Sequence, residues 1–219
     1  MKTLITTLLA ATALTAVSGG VMAADLAAPP AAAPAMAAPA PTNWDGPYIG
    51  ASVGYGWGTA DFGDVNTDPF DTASPSGFLV GAQAGYNFHI ADQFVIGLEG
   101  NIDWVNESGA SADPSYSINT RWEGSVRGRL GYDAGAFLPY IEAGVAFANA
   151  DVTTDYPSNV NKTFTGWTAG AGVEFALADN LSLNVEYRYS DYGKQDVDAY
   201  PNHVHLTDST VRVGLNYHF

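Results

Sequence analysis

Apolar and polar residues alternate along the chain from Tyr48 to its final residue, in eight runs separated by polar connections. The last run, Ser209 to Phe219, is the clearest. Val211, Val213, Leu215, Tyr217 and Phe219 form one face, and Thr210, Arg212, Gly214, Asn216 and His218 form the other. Period-two alternation predicts a strand with one apolar and one polar face. Its length of about ten residues is what a tilted strand needs to cross a bilayer. The seven earlier runs fall near 48–57, 77–88, 94–104, 121–132, 141–147, 166–175 and 181–189. Because the final strand stops on Phe219, it is expected to be tied down by pairing with the first.

The connections alternate in length. Those at His89–Gln93, Asp133–Ala136 and Ala176–Asn180 are short. Those at Thr59–Pro75, Val105–Asn119, Asn149–Thr163 and Asp191–Asp208 are long. Short turns at one end and long loops at the other are typical of transmembrane barrels, and an even strand number puts both chain ends at the short-turn, periplasmic side. The predicted fold is therefore all-β, an eight-stranded antiparallel up-and-down transmembrane β-barrel over residues 43–219.

Which face meets lipid follows from the polar parity. A soluble barrel would cover its outside with Lys and Glu, whereas this face is mostly Gly, Ser, Asn and Thr. Small residues suit the interior of an eight-strand barrel, which side chains just fill. The apolar parity carries no charge in any run, as hydrocarbon exposure requires. Trp57, Trp104, Trp122, Trp167 and Tyr189 gather toward the loops, and Phe88, Phe94, Tyr132, Phe175 and Phe219 toward the turns. Two aromatic girdles are expected at two water–lipid interfaces.

Composition adds three points. Charged residues are only 14% of the chain, and there is no Cys, which excludes disulfides and a lipidated cysteine. Residues 1–23 carry Lys2, an apolar core from Leu4 to Val17 and Val21-Met22-Ala23 before the cut, the pattern of a signal peptide. Residues 24–42 are almost wholly Ala and Pro, a spacer that proline keeps from becoming a helix. The net charge of −15 excludes nucleic acid as a partner, since binding it requires Lys and Arg to displace counterions.

On the inward parity stand Glu99, Asp103, Glu123, Glu142, Glu174 and Glu186, with Arg121, Arg127, Arg129, Arg188 and Arg212. The near balance predicts a lumen ion-pair network, with Arg127 and Arg129 reaching Glu99 and Glu142. Structural filling of the lumen is the favoured reading, because eight strands leave little room for water. A gate or narrow ion path is the alternative. The long loops hold twelve acids, Glu107 and Asp208 among them, against Lys162 and Lys194. Solvation explains these acids, and divalent cations shared with lipopolysaccharide phosphates are the sharper alternative.

Sites for chemistry are scarce. No His falls on the lipid-facing parity, where an enzyme acting on lipid A would need one. His203-x-His205 with Asp208 is too sparse a set for a metal centre, so no metal and no cofactor are expected. No catalytic residue is identified.

Several segments carry a family resemblance. Trp44-Asp45-Gly46-Pro47-Tyr48-Ile49-Gly50, Gly81-Ala82-Gln83-Ala84-Gly85-Tyr86-Asn87, Val126-Arg127-Gly128-Arg129-Leu130-Gly131-Tyr132 and Glu186-Tyr187-Arg188-Tyr189-Ser190-Asp191-Tyr192-Gly193 are similar to blocks of the small alphaproteobacterial outer-membrane surface antigens, the group-three major outer-membrane protein type. The resemblance implies an OmpA-like, opacity-type barrel, often grouped with porins, exposed at the surface of a Gram-negative cell. It also implies that Val213, Leu215, Tyr217 and Phe219 form the terminal signal read by the barrel-assembly machinery. Outer-membrane lipid and lipopolysaccharide are the other expected partners, and no host or envelope partner is named by it. The function expected is structural and surface-exposed, with a small-solute pore as the alternative and a lipid-A-modifying enzyme disfavoured.

Overall fold

The computed structural model describes residues 44–63, 71–110, 117–153, 159–196 and 203–219. The expected signal peptide at 1–23 and spacer at 24–42 lie outside them. Among the described residues every regular element is a strand: β1 (Gly46–Gly63), β2 (Asp71–Ala73), β3 (Ser76–Ala91), β4 (Phe94–Ala110), β5 (Ser117–Tyr132), β6 (Phe137–Thr153), β7 (Asn159–Ala178), β8 (Leu181–Asp196) and β9 (His203–His218). β2 is a three-residue rung beside the loop end of β1, from Ala60↔Ala73 to Phe62↔Asp71. The other eight pair antiparallel with their neighbours, and β9 returns to β1. That closing register runs from Tyr48↔His218 through Val53↔Val213 to Gly63↔His203. The predicted eight-stranded barrel is thus closed through its final strand.

Sidedness in the central zone follows the alternation. Leu98 and Ile141 are 60% and 61% exposed, whereas their neighbours Glu99 and Glu142 are 3% and 4% exposed. The outer belt ends in aromatic contacts, Phe94 against Tyr132 at the turn end and Trp167 against Tyr189 at the loop end.

The strands are longer than the alternating runs. The eight that form the barrel have 16–20 residues. With a rise of about 3.3 Å per residue and a tilt of about 40°, such strands reach roughly 40–50 Å, against an apolar band of about 25 Å. They must project beyond the membrane, and their polarity reverses there. On β1, Ala60 and Phe62 point inward and are fully buried, while Asp61 faces outward. On β9, Val204 and Leu206 are buried, while His205 and Thr207 face out. Ile118, Ala148, Ala150 and Phe164 complete an apolar core inside this projecting collar. Water on the outside and a dry interior impose the rule of a soluble barrel, apolar in and polar out. On its outer wall Asn161 donates to Asp151 at 2.8 Å, and Asn149 donates to Thr163 at 3.2 Å.

Two expectations are corrected by the strand ends. A bulge between Thr120 and Trp122 inserts Arg121 as an extra residue opposite β6. One extra residue transfers every side chain beyond it to the opposite face. Arg121 therefore leaves the lumen: its side chain is 65% exposed and pairs with Asp151 on the collar wall. Conversely, Glu107 and Asp208, read as loop acids, lie on β4 and β9 and point inward, 3% and 5% exposed. A second bulge at Asp191–Lys194 places Gly193 at φ +65°, with its N–H donating to Asp191 Oδ1 at 2.8 Å. Tyr192 continues the inward parity of Glu186, Arg188 and Ser190 and enters the collar core.

The turn end is stoppered. Trp44, just before β1, is fully buried with Val95, Leu138 and Ala176. Its indole N–H donates to the Gly135 carbonyl at 3.3 Å, and its ring meets His218 edge-on at 5.8 Å. Beside it His89 lies between two carboxylates, Nδ1 at 2.8 Å from Asp45 and Nε2 at 3.1 Å from Asp133. This clasp ties the start of β1 to two turns at the barrel rim. Burial opposes the His89 charge, but hydrogen bonds to Asp45 and Asp133, and their negative charges, outweigh it and raise the imidazole above its ordinary pKa of 6.5. A raised folded-state pKa stabilises fully below the unfolded value, and the contribution is lost as pH rises through the folded value. Wild type is therefore expected to lose urea resistance relative to His89→Gln as pH climbs from 6.5 upward. Unfolding midpoints of both proteins across that range check it, and parallel curves would remove the clasp.

Candidate functional site

The lumen gathers the charges of six strands. Among the described residues, eight carboxylates (Glu99, Asp103, Glu107, Glu123, Glu142, Glu174, Glu186, Asp208) and four guanidiniums (Arg127, Arg129, Arg188, Arg212) are buried. They face inward because they share the parity of the interior glycines on neighbouring strands. Those glycines are needed for space. Tyr48 lies across from Gly85 and Tyr140 across from Gly172. A Cβ on Gly172 would stand 2.6 Å from the Tyr140 ring, and one on Gly85 would collide with Tyr48.

The network centres on β5. Arg127 is fully buried and pairs with Glu99 and, at 2.8 Å, with Glu142. Arg129 turns toward Glu174 at 2.9 Å and leaves Glu99 at 3.8 Å. Its guanidinium lies 4.0 Å from the centre of the Tyr140 ring, a cation–π contact strengthened by desolvation. Arg188 donates to Glu186 at 2.5 Å and comes within 3.5 Å of Glu142. Arg212 reaches Asp103 at 2.7 Å. Glu123 joins no ion pair among the described residues. Charge-assisted bonds of this kind are the strong class, and in a dry interior every member depends on its partners.

Tyr48, Tyr140, His218, Ser182 and Asn216 complete the assembly. Tyr48 donates to Glu99 at 2.6 Å and accepts from Arg129 at 3.1 Å. Tyr140 donates to Glu186 at 3.1 Å. Glu174 accepts from Ser182 at 2.5 Å and Asn216 at 2.7 Å. The two tyrosines were missed in the sequence; the available signal was a bulky residue on the glycine parity.

Two arrangements resemble chemistry, one failing on geometry and the other already matched in charge. Ser182, His218 and Glu174 touch one another, yet Ser182 and Glu174 both contact the same imidazole nitrogen, Nε2, each at 3.1 Å. A proton relay needs the acid on Nδ1 and the hydroxyl on Nε2, and Nδ1 here has no hydrogen-bond partner. Oxygens of Glu99, Glu142 and Glu186 lie within 4.8 Å of one another, a spacing that would suit a metal. Arg127 and Arg188 already supply the positive charge there. On β9, His205 bonds outward to Asp191 at 3.1 Å while Asp208 points inward, so these two do not share a ligand set.

Val213, Leu215, Tyr217 and Phe219 form one exposed stripe at the end of β9, with the Tyr217 and Phe219 rings edge to face at 5.2 Å.

Removing one partner of a buried pair is costly, about 3–5 kcal/mol, whereas an exposed substitution stays within about 0.5 kcal/mol. Arg127→Met is therefore expected to lower the urea midpoint of the refolded barrel strongly, and Arg121→Ala to leave it nearly unchanged. Gel-mobility unfolding curves check both.

The description of outer membrane protein β-barrel domains matches residues 9–219. The 25 kDa outer-membrane immunogenic protein of Brucella abortus biovar 1 is 36% identical over 224 residues, covering 100% of both chains. The 31 kDa outer-membrane immunogenic protein of Brucella melitensis biotype 1 is 34% identical over 202 residues, covering 81% of this chain and 84% of its own. Among solved structures, Neisserial surface protein A superposes with a TM-score of 0.52 at 19% identity, over 79% of this chain and 97% of that one, a likeness of fold alone. A closed barrel with a lipid belt, matched over its length by outer-membrane relatives, identifies this chain as a member of the outer membrane protein β-barrel family.

Proposed function

We propose that this outer-membrane barrel is a closed, non-conducting scaffold that carries a polar collar and its loops at the cell surface. The observation that carries the reading is a lumen filled at three levels. Trp44, Val95 and Leu138 stopper the turn end. The Arg127 and Arg129 network occupies the middle. Phe62, Ile118, Phe164, Val204 and Leu206 fill the collar. An ion path would need water at each level, and a narrow eight-strand interior holds side chains instead.

The same geometry supports a non-catalytic role. The contact among Ser182, His218 and Glu174 has the wrong nitrogen engaged and sits inside the wall, out of reach of an acyl chain. The reading extends to partners. Lipid and lipopolysaccharide would meet the exposed belt and the girdle. The assembly machinery would read Val213, Leu215, Tyr217 and Phe219, which are accessible together on one strand face. Residues 1–23 would direct export, and residues 24–42 would space the barrel from the cut.

Planar-bilayer recording of the refolded protein tests the proposal. No stable ion-sized steps are expected from wild type. Stable steps whose size changes in Arg129→Ala would overturn the closed reading in favour of a small-solute pore.

A further inference from the structure

The described lumen holds more acid than base. Eight buried carboxylates face four buried guanidiniums, and His218 as an imidazolium lowers the excess only to three. The guanidiniums are already committed. Arg127, Arg129 and Arg188 hold Glu99, Glu142, Glu174 and Glu186, and Arg212 holds Asp103. Among the described residues Glu107, Glu123 and Asp208 join no ion pair. Glu123 and Asp208 border a small space together with Arg188 and Arg212, whereas Glu107 does not reach it. Buried charge without a partner is strongly unfavourable, and a carboxyl in that position takes up a proton instead.

Geometry singles out two of the three. Glu107 Oε1 and Asp208 Oδ1 are buried and have no hydrogen-bond partner. Both lie over the same stretch of β1. A Cβ at Gly56 would collide with Glu107 Oε1, and one at Gly58 would stand 3.4 Å from Asp208 Oδ1. Both are on the loop side of the girdle, outside the apolar band: Glu107 lies beyond Trp104 on β4, and Asp208 is opposite Gly58, beyond Trp57 on β1. The collar core, with Ala60, Phe62, Val204 and Leu206, closes the space above them, and the Arg127 network closes it below. The other charged or titratable groups at this end are Asp103 on β4, Glu123 on β5, Arg188 and Tyr192 on β8 and Arg212 on β9. At the same height β1, β3, β6 and β7 present Gly58, Gly77, Ala146 and Thr168.

We propose that Glu107 and Asp208 make the loop end of the lumen a proton-held seal: both are neutral carboxylic acids in the folded barrel at neutral pH, and the seal weakens when alkali removes their protons. Protonation also supplies what the orphaned oxygens lack, because a carboxylic acid carries an O–H donor where two carboxylates offer only acceptors. Burial lifts the Glu107 carboxyl to about 8, with the charge of Glu123 adding to it and Arg212 opposing. Burial likewise lifts Asp208 to about 8, with Glu107 adding and Arg212 opposing. In the unfolded chain such groups titrate at about 4. The folded state therefore binds more protons than the unfolded one. Its stabilisation is complete below about pH 4 and is lost as pH rises through about 8.

The test uses the full chain refolded in detergent micelles and compares wild type with Glu107→Gln and Asp208→Asn, whose amides stay neutral at every pH. Relative to either variant, the wild-type unfolding constant in urea is expected to rise close to tenfold per pH unit from about pH 5 to about pH 8, and to level off above that. A folding defect in a variant shifts its curve by a constant and leaves this divergence in place. Variant curves that run parallel to wild type across the range would overturn the proposal. Infrared spectra in deuterated buffer give a second reading, and on wild type it needs no variant to fold. The carbonyl band of a protonated carboxyl is expected at neutral pH, weakening by about pH 9.5 and reduced in each variant. Its absence from wild type, or a band undiminished in both variants, would overturn the proposal. Neither reading depends on whether the lumen conducts.

Discussion

Hydrocarbon offers no hydrogen-bond partner to a peptide group, and that one deficiency dictates the architecture. A sheet in such a solvent has to satisfy every N–H and C=O internally, so it cannot keep an edge. The pairing of β1 with β9, from Tyr48↔His218 to Gly63↔His203, meets this requirement along the whole height of the wall. It also fixes where everything else can lie. Once the wall is closed, each strand within the membrane has one face committed to lipid and one to a narrow interior.

The interior then faces the opposite difficulty, because it must admit charge without water. Its solution is to match long side chains with missing ones. Tyr48 and Tyr140 occupy space left by Gly85 and Gly172 and carry hydroxyls to Glu99 and Glu186. Arg129 stacks on Tyr140 while it pairs with Glu174. Arg127 is held by Glu99 and Glu142, and Arg188 by Glu186. Toward the loop end Arg212 pairs with Asp103, and Arg188 and Arg212 border the small space beside Glu123 and Asp208.

Above the membrane the same wall obeys the inverse rule. Phe62, Ile118 and Phe164 point inward, while Asp61, Arg121 and Asp151 face outward. No strand changes direction for this to happen; only the solvent outside has changed. The bulges at Arg121 and at Asp191–Lys194 occur in this zone, where the wall is released from the apolar belt. The result is a polar collar with an apolar interior, standing beyond the lipid belt.

The eight crossing segments, the face each turns to lipid, the closure on the final strand and the asymmetry of turns and loops are legible in the order of the amino acids. Alternation is a local property, written in neighbouring residues, and it can be read without knowing what lies across the sheet. How far the strands extend emerges in the folded wall alone, because beyond the girdle the polarity of the alternation reverses and reads as loop. It alone took Arg121 out of the lumen, brought Glu107 and Asp208 into it, and gave Arg129 to Glu174 on β7 rather than to Glu142. Those outcomes depend on register and on single-residue bulges between strands distant in the chain, where one extra residue exchanges inside for outside.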